Sequence, residues 1–239
     1  MIVRLRSGLI HIGVIGGTGP EGRGLAARLS LAGHSVLLGS RDPTRAADRA
    51  SELSRMIPAV SVRGVSNRIA AADADLVLVT VPYVAQRKIL ESLSLELADK
   101  LVVTTVVPID FVNGRARAIA VPEGSAALQA ADVLPRSTVA ATFHNVSAHD
   151  LIDAPEPVDS DVVVFSDDPT ACRVVMSLAA CIPGVRSLNG GGLEGARYLE
   201  DLTALILNIN RIYHANATIR FTGISFDTEG SSDSRQHGH

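Results

Sequence analysis

The stretch Gly16-Gly17-Thr18-Gly19-Pro20-Glu21-Gly22 constrains this chain more than any other. A short apolar run, Ile10 to Ile15, precedes it, and a helical pattern from Arg23 to Ala32 follows it. A strand, then Gly17-x-Gly19-x-x-Gly22, then a helix is the context in which this spacing binds a dinucleotide. Gly17 permits the tight turn, Gly19 lets the backbone approach a pyrophosphate, and Gly22 lets helix and strand pack closely. Amides at the helix start then face the phosphates. The alternative is a merely structural glycine turn. Strand, motif, helix and second strand in that order argue against it.

The rest of the chain continues the alternation. Strands are expected at Ser35 to Leu38, Val60 to Val65, Leu76 to Val81, Leu101 to Val106 and Thr138 to Thr142. Asp42-Pro43 reads as an N-cap with Pro at the first helical position, opening a helix to about Met56. Further helices are expected from Ile69 to Ala74 and from Val84 to Leu93. Residues 114–131 carry a weaker pattern, either a helix from Ser125 to Val133 or a loop over the site. Such alternation gives an α/β fold, a Rossmann-type doubly wound parallel sheet. After His144 the texture changes. Asp150 to Asp161 reads as a linker, Val162 to Phe165 and Val185 to Leu188 as strands, and Pro169 to Cys181 as a helix. Gly190-Gly191-Gly192 reads as a hinge or close-approach loop, followed by the longest helical pattern, Glu194 to Ala217. The expected organisation is a nucleotide-binding domain at residues 1–145, a small C-terminal α/β domain at 146–227, and a disordered tail at 228–239.

Composition excludes several classes. A net charge of −3 gives no electrostatic case for nucleic acid or an anionic membrane. No segment approaches the roughly 20 apolar residues of a membrane span, and the start lacks the features of a signal peptide. Two cysteines, Cys172 and Cys181, fall on opposite faces of one helix and read as small core residues. No spacing suggests a metal. A cytoplasmic protein is expected.

The end of the second strand selects the dinucleotide. An NAD site usually places Asp or Glu there for the ribose 2′-hydroxyl. Here Gly39-Ser40-Arg41 stands instead. A hydroxyl and a guanidinium suit a 2′-phosphate, which a carboxylate would repel. Asp42 is explained by capping, and Thr18 adds a second hydroxyl. The reading is NADP(H). A homodimer is also expected, because Leu199, Leu202, Leu205, Leu207, Ile209 and Ile212 spread over more than one face of the last helix.

From about His11 to Ile224 the chain resembles the F420-dependent NADP oxidoreductases. The resemblance rests on Ile15-Gly16-Gly17-Thr18-Gly19 and on the following Gly22-x-Gly24-Leu25-Ala26-x-Arg28-Leu29. It continues in Gly39-Ser40-Arg41, Val79-Thr80-Val81-Pro82 and Val107-Pro108. In the second part it is carried by Val174-Val175-Met176-Ser177-Leu178 and by Leu202-Thr203-x-Leu205-Ile206-Leu207-Asn208-Ile209. The resemblance implies a Rossmann domain plus a small C-terminal domain, with NADP(H) and the deazaflavin coenzyme F420 meeting in the cleft between them. It implies that Thr18, Ser40 and Arg41 hold the 2′-phosphate and that Val81 and Pro82 border the nicotinamide. His144 and Val146 would contact the deazaflavin, with Leu207 closing the far side. The sequence departs from the family at Tyr83-Val84-Ala85-Gln86, at Thr104-Thr105-Val106, after His144, and from Asn189 to Gly195. The reaction implied is hydride transfer by proximity, with no catalytic nucleophile and no metal. Alternative readings are a related NADPH-dependent reductase with a flavin or ferric acceptor, and a non-catalytic NADP-binding protein. A hydroxy-acid dehydrogenase is a third, but the only lysines, Lys88 and Lys100, sit where no catalytic lysine is expected.

Overall fold

The computed structural model describes residues 9–153 and 156–225. The tail expected at 228–239 lies wholly outside the described residues. Six parallel strands form one sheet: β1 (His11–Ile15), β2 (Ser35–Ser40), β3 (Val62–Ser66), β4 (Leu76–Val79), β5 (Leu101–Thr104) and, later in the chain, β8 (Thr138–Ala141). Their order is β3-β2-β1-β4-β5-β8, all pairings parallel, as the alternation predicts. Strands covered on both faces must be apolar at every position rather than at alternate ones. β4, Leu-Val-Leu-Val, is buried throughout. Leu76 and Leu78 join the core on one face, and Val77 and Val79 the core on the other.

Helices α1 (Pro20–Leu31), α2 (Pro43–Met56), α3 (Asn67–Asp73), α4 (Tyr83–Ser92), α5 (Ser94–Leu97) and α6 (Ala126–Val133) connect and cover these strands. The helix α1 begins at Pro20, inside the glycine run, three residues earlier than its apolar pattern suggests. Asp42 caps α2, its carboxylate accepting from the Thr44 amide at 2.9 Å and the Arg45 amide at 3.3 Å.

Between β5 and α6 the chain forms a hairpin absent from the sequence reading, β6 (Ile109–Val112) and β7 (Arg115–Ala118), paired antiparallel. Its turn is Asn113-Gly114, with both residues at positive φ, +51° and +71°. That dipeptide is the usual signal for such a turn. The free edge of β7 is closed by Asn208, which accepts from the Ala116 amide at 3.0 Å and donates to its carbonyl at 2.9 Å.

The stretch expected as a linker is partly helical: α7 (Ala148–Ile152) packs on α1. Arg28, buried in α1, explains it. Its guanidinium donates to the carbonyls of Leu151 at 2.9 Å, Asp150 at 2.6 Å and Asp153 at 3.2 Å, closing the carboxyl end of α7. The second part then holds β9 (Asp161–Val164) and β10 (Arg186–Asn189), a parallel pair covered by α8 (Pro169–Ala180). Phe165 exchanges both backbone hydrogen bonds with Ala141, at 2.9 Å each, so this small sheet is stitched to the edge of the large one. Cys172 is buried in α8, but Cys181 is exposed at its carboxyl cap, so only one of the two is a core residue. The last helix, α9 (Ala196–Tyr213), ends earlier than expected because His214 adopts the left-handed conformation, φ +51°. Asn210 then holds Ala217 through its amide at 2.6 Å, turning the chain back to β9. Among the described residues no helix is long and apolar enough to cross a membrane.

Candidate nucleotide and acceptor site

The order in which strands are added across the sheet reverses between the parallel neighbours β1 and β4, so the loops that leave them diverge and open a crevice at the carboxyl edge of the sheet. A cleft of about 740 Å3 lies there. Thr18, Gly19, Pro20 and Glu21 line it from the glycine loop, Ser40 and Arg41 from the end of β2, and Val81 and Pro82 from the turn after β4.

The glycines divide their work differently from the sequence reading. Gly16 takes the left-handed backbone, φ +74°, so the tight turn is at Gly16 rather than Gly17. Gly17 makes room instead: a Cβ there would stand 2.8 Å from Leu38 Cδ1. Gly22 behaves as expected, since a Cβ would meet Thr80 Oγ1 at 2.6 Å and Gly17 Cα at 2.7 Å. At Gly19 a Cβ would find only the Gly16 carbonyl oxygen, at 3.6 Å. The protein itself does not require a glycine there, so the space it leaves belongs to the cleft. No side chain caps the start of α1. The amides at its first turn therefore stay available to an anion.

The end of β2 brings a hydroxyl and a guanidinium to the cleft. Ser40 is buried and its hydroxyl accepts from the Asp42 amide at 3.2 Å. Arg41 is exposed and makes no ion pair among the described residues. The Asp42 carboxylate faces the amides of α2. Arg45, also on the cleft and without an ion pair among the described residues, joins Arg41. Sequence reading missed it, although one turn of helix after the Asp42 cap returns Arg45 to the mouth of the cleft. Asn67 and Thr105 were missed for another reason: only strand order brings them here. Asn67 Oδ1 accepts from the Gly16 amide at 3.3 Å.

The acceptor-side residues stand apart. None of His144, Val146 and Leu207 is among the residues that line this cleft. His144 follows β8 at the same carboxyl edge and is 4% exposed. Neither ring nitrogen has a hydrogen-bond partner among the described residues. Burial pushes its pKa down to about 4, so the imidazole is neutral. Its carbonyl accepts from the Thr203 hydroxyl of α9 at 3.0 Å. Phe143, just before it, is held at φ +64° and fully buried, a conformation that costs on the order of 1 kcal/mol and persists only where packing enforces it. Val146 belongs to the core formed with Leu151 and Val175. Leu207 lies on α9 beside Asn208 and is 37% exposed.

The family model described as NADP oxidoreductase, coenzyme F420-dependent, matches residues 11–108. The F420-dependent NADP reductase of Methanothermobacter thermautotrophicus is 44% identical over 223 residues, spanning 90% of this chain and 96% of that one. The enzyme of the same description from Methanocaldococcus jannaschii is 34% identical over 222 residues, 90% of this chain and 99% of that one. Among solved structures, a protein of Arthrobacter sp. FB24, whose ascribed activity is F420-dependent NADP reduction, superposes with a TM-score of 0.73 at 25% identity, covering 87% of this chain and 96% of that one. With relatives this similar over nearly the whole of both chains, and with a Rossmann sheet carrying its cleft at the switch point, the protein belongs to the F420-dependent NADP reductase family.

Proposed function

We propose that the protein transfers a hydride between NADP(H) and coenzyme F420. The observation that carries the reading is the end of β2: Ser40, Arg41 and Arg45 stand at the cleft while the carboxylate between the two arginines, Asp42, is committed to capping α2. Ser40, Thr18, Arg41 and Arg45 would hold the 2′-phosphate, the two guanidiniums supplying charge-assisted bonds. The open amides at the start of α1 would take the diphosphate. Val81, buried, and Pro82 would form the apolar wall beside the nicotinamide, keeping water out.

The two cofactors, when bound, supply a hydride-donating ring carbon and a hydride-accepting one. The protein's part is to bind, orient and exclude water. His144 fits an acceptor with hydrogen-bonding ring atoms, because both its nitrogens are buried with no partner among the described residues. As a neutral imidazole it can donate from one nitrogen and accept at the other. Val146 would support the backbone that carries His144, and Leu207 would close the far side. We divide the chain at residues 145 and 146, so that this acceptor segment begins the second part.

We also propose a homodimer. Tyr198, Leu202, Leu205, Ile209 and Ile212 recur along α9 at alternating four- and three-residue steps, which is the spacing of a helix–helix seam. Tyr198, Leu205 and Ile212 are largely exposed. A monomeric mass by light scattering at micromolar protein would remove this assembly. A cytoplasmic setting agrees with two free thiols, one of them exposed.

The deciding experiment is absorbance at the deazaflavin band while NADPH, F420 and the protein are mixed. Loss of the oxidised band with NADPH, and far less with NADH, is expected. Reduction of a flavin but not of F420 would overturn the acceptor assignment.

A further inference from the structure

Glu21 is an acid placed where an anion is expected to bind. It lies between Gly19 and Gly22, in the first turn of α1, and lines the nucleotide cleft. While the cleft is empty, a carboxylate there is favoured by the open amides of the helix start. A diphosphate brings further negative charge to the same place, in a site where water is partly excluded and repulsion is strong.

The Thr105 hydroxyl, from the segment after β5, also lines the cleft and pulls the pKa of the Glu21 carboxyl downward. Thr105 Oγ1 lies 3.2 Å from the Val79 carbonyl oxygen, and the Thr105 amide donates to that same oxygen at 3.1 Å. A threonine hydroxyl has one hydrogen. When that hydrogen is on Val79, the oxygen can only accept, so the carboxyl of Glu21 must bring the proton between them. When Glu21 is ionised, the hydroxyl turns to it, and the Val79 carbonyl keeps the amide alone. A hydrogen bond between the two would thus have two arrangements that differ by one proton.

We propose that Glu21 is ionised in the empty cleft above neutral pH and binds NADP(H) as a neutral acid, so that nucleotide entry takes up one proton at this residue. The inference rests on the reading that the cleft takes NADP(H). The proton comes from the buffer and adds to a carboxylate oxygen of Glu21, and no bond of the nucleotide changes. Burial raises the Glu21 carboxyl to about 7, with the Thr105 hydroxyl pulling the other way, so the empty protein is poised to gain or lose this proton near neutrality. The other charged or titratable groups lining the cleft are Arg41, Asp42, Arg45 and Tyr83. Asp42 is turned to the amides of Thr44 and Arg45, and the Tyr83 hydroxyl meets Gln129 at 3.4 Å. Arg23, next to Glu21 on α1, faces Glu52 at 3.8 Å.

The test is calorimetric titration of NADPH into the full chain at pH 8, in two buffers of different ionisation enthalpy, with dissociation constants followed from pH 7.5 to 8.5. A 2′-phosphate, with its second pKa near 6, is already ionised there and takes up nothing. The expected result is uptake approaching about one proton and affinity that weakens up to about tenfold per pH unit. Glu21→Gln keeps shape and hydrogen bonding but cannot titrate, so it should bind NADPH with no uptake and a flat pH profile. Thr105→Val, which removes that hydroxyl without touching the acid, should reduce the uptake at pH 8 and move the onset of weakening to higher pH. Equal heats in both buffers with a pH-independent wild-type affinity would overturn the proposal, as would uptake that survives Glu21→Gln. Failure of the wild type to bind NADPH at any pH would instead overturn the assignment of the cleft.

Discussion

The proposed phosphate-binding part of the cleft lies in one short length of chain, Gly16 to Arg45, and much of what it offers is backbone: a left-handed glycine, uncapped amides and a strand end. The proposed acceptor side is built from segments far apart in sequence. His144 is held by Thr203, Asn145 by Asp161 and Thr218, and Ala116 by Asn208. A backbone site tolerates change in most side chains as long as its glycines and its helix start remain. A site assembled from distant side chains depends on the clamps between segments, so each clamp is a place to separate the two sides experimentally.

The largest effect should come from Arg28, which ties α1 of the nucleotide side to α7 at the start of the second part. Its side chain is 2% exposed and donates to three carbonyls. Arg28→Met keeps most of the volume but leaves those carbonyls without their donor, at an expected cost of about 3–5 kcal/mol. Denaturant melts should show that loss, while the protein that remains folded binds NADPH within a few-fold of wild type. A large loss of NADPH affinity in the folded fraction would show that the two sides are not separable in this way.

Arg41→Ala should act only on the nucleotide side. Losing a charge-assisted pair to phosphate costs roughly 1.5–3 kcal/mol, or about 10- to 100-fold in the dissociation constant for NADPH, with little change for NADH. Equal wild-type affinities for the two cofactors would break the 2′-phosphate assignment. His144→Ala is the counterpart on the acceptor side. It should lower kcat/KM for F420 by about 1–3 kcal/mol of barrier, with NADPH affinity within a few-fold and little change in melting temperature. A normal kcat/KM would remove His144 from the acceptor site and send the search to Val146 and Leu207.

What the sequence made legible follows the same division. Periodicity and punctuation placed the six sheet strands and the Asp42 cap, because local spacing and turn chemistry decide those. The hairpin at Asn113-Gly114 carried a clear turn signal, but its strands are only four residues each and half of β7 is arginine, so no apolar alternation marked them. The helix α7 was hidden for a physical reason: five residues among Asp and Pro do not hold a helix by themselves, and the donor that closes it, Arg28, is more than 100 residues away. Thr105 and Asn67 reach the cleft through strand order alone. The family resemblance was needed for His144, Val146 and Leu207, since nothing local distinguishes a strand-end histidine from a structural one.

The smallest expected effect concerns Glu200, which fastens α9 to the nucleotide side. Its carboxylate accepts from the amides of Ala126 and Ala127 at 2.9 and 3.1 Å, closing the start of α6. Burial raises its pKa to about 7, against the pull of those two amides. An acid whose folded pKa lies above its unfolded value holds its proton more tightly when folded. Its contribution to stability is therefore complete below about pH 4.5 and is lost as pH rises through 7. His144, with its pKa lowered to about 4, works in the opposite sense, destabilising the fold as pH falls below its unfolded value near 6.5. The clean window for Glu200 is thus pH 6.5 to 8, where a group titrating near 7 should lose about 0.8 kcal/mol, or a few degrees of melting temperature. Glu21 titrates in the same window, so the melts should be run on the Glu21→Gln protein. In that background Glu200→Gln should flatten the remaining decline, at some cost in stability at pH 8 from the weaker helix closure. If the decline between pH 6.5 and 8 is unchanged by Glu200→Gln, the clamp between α9 and α6 is not pH-sensitive, and the two sides of the cleft are joined by packing rather than by this acid.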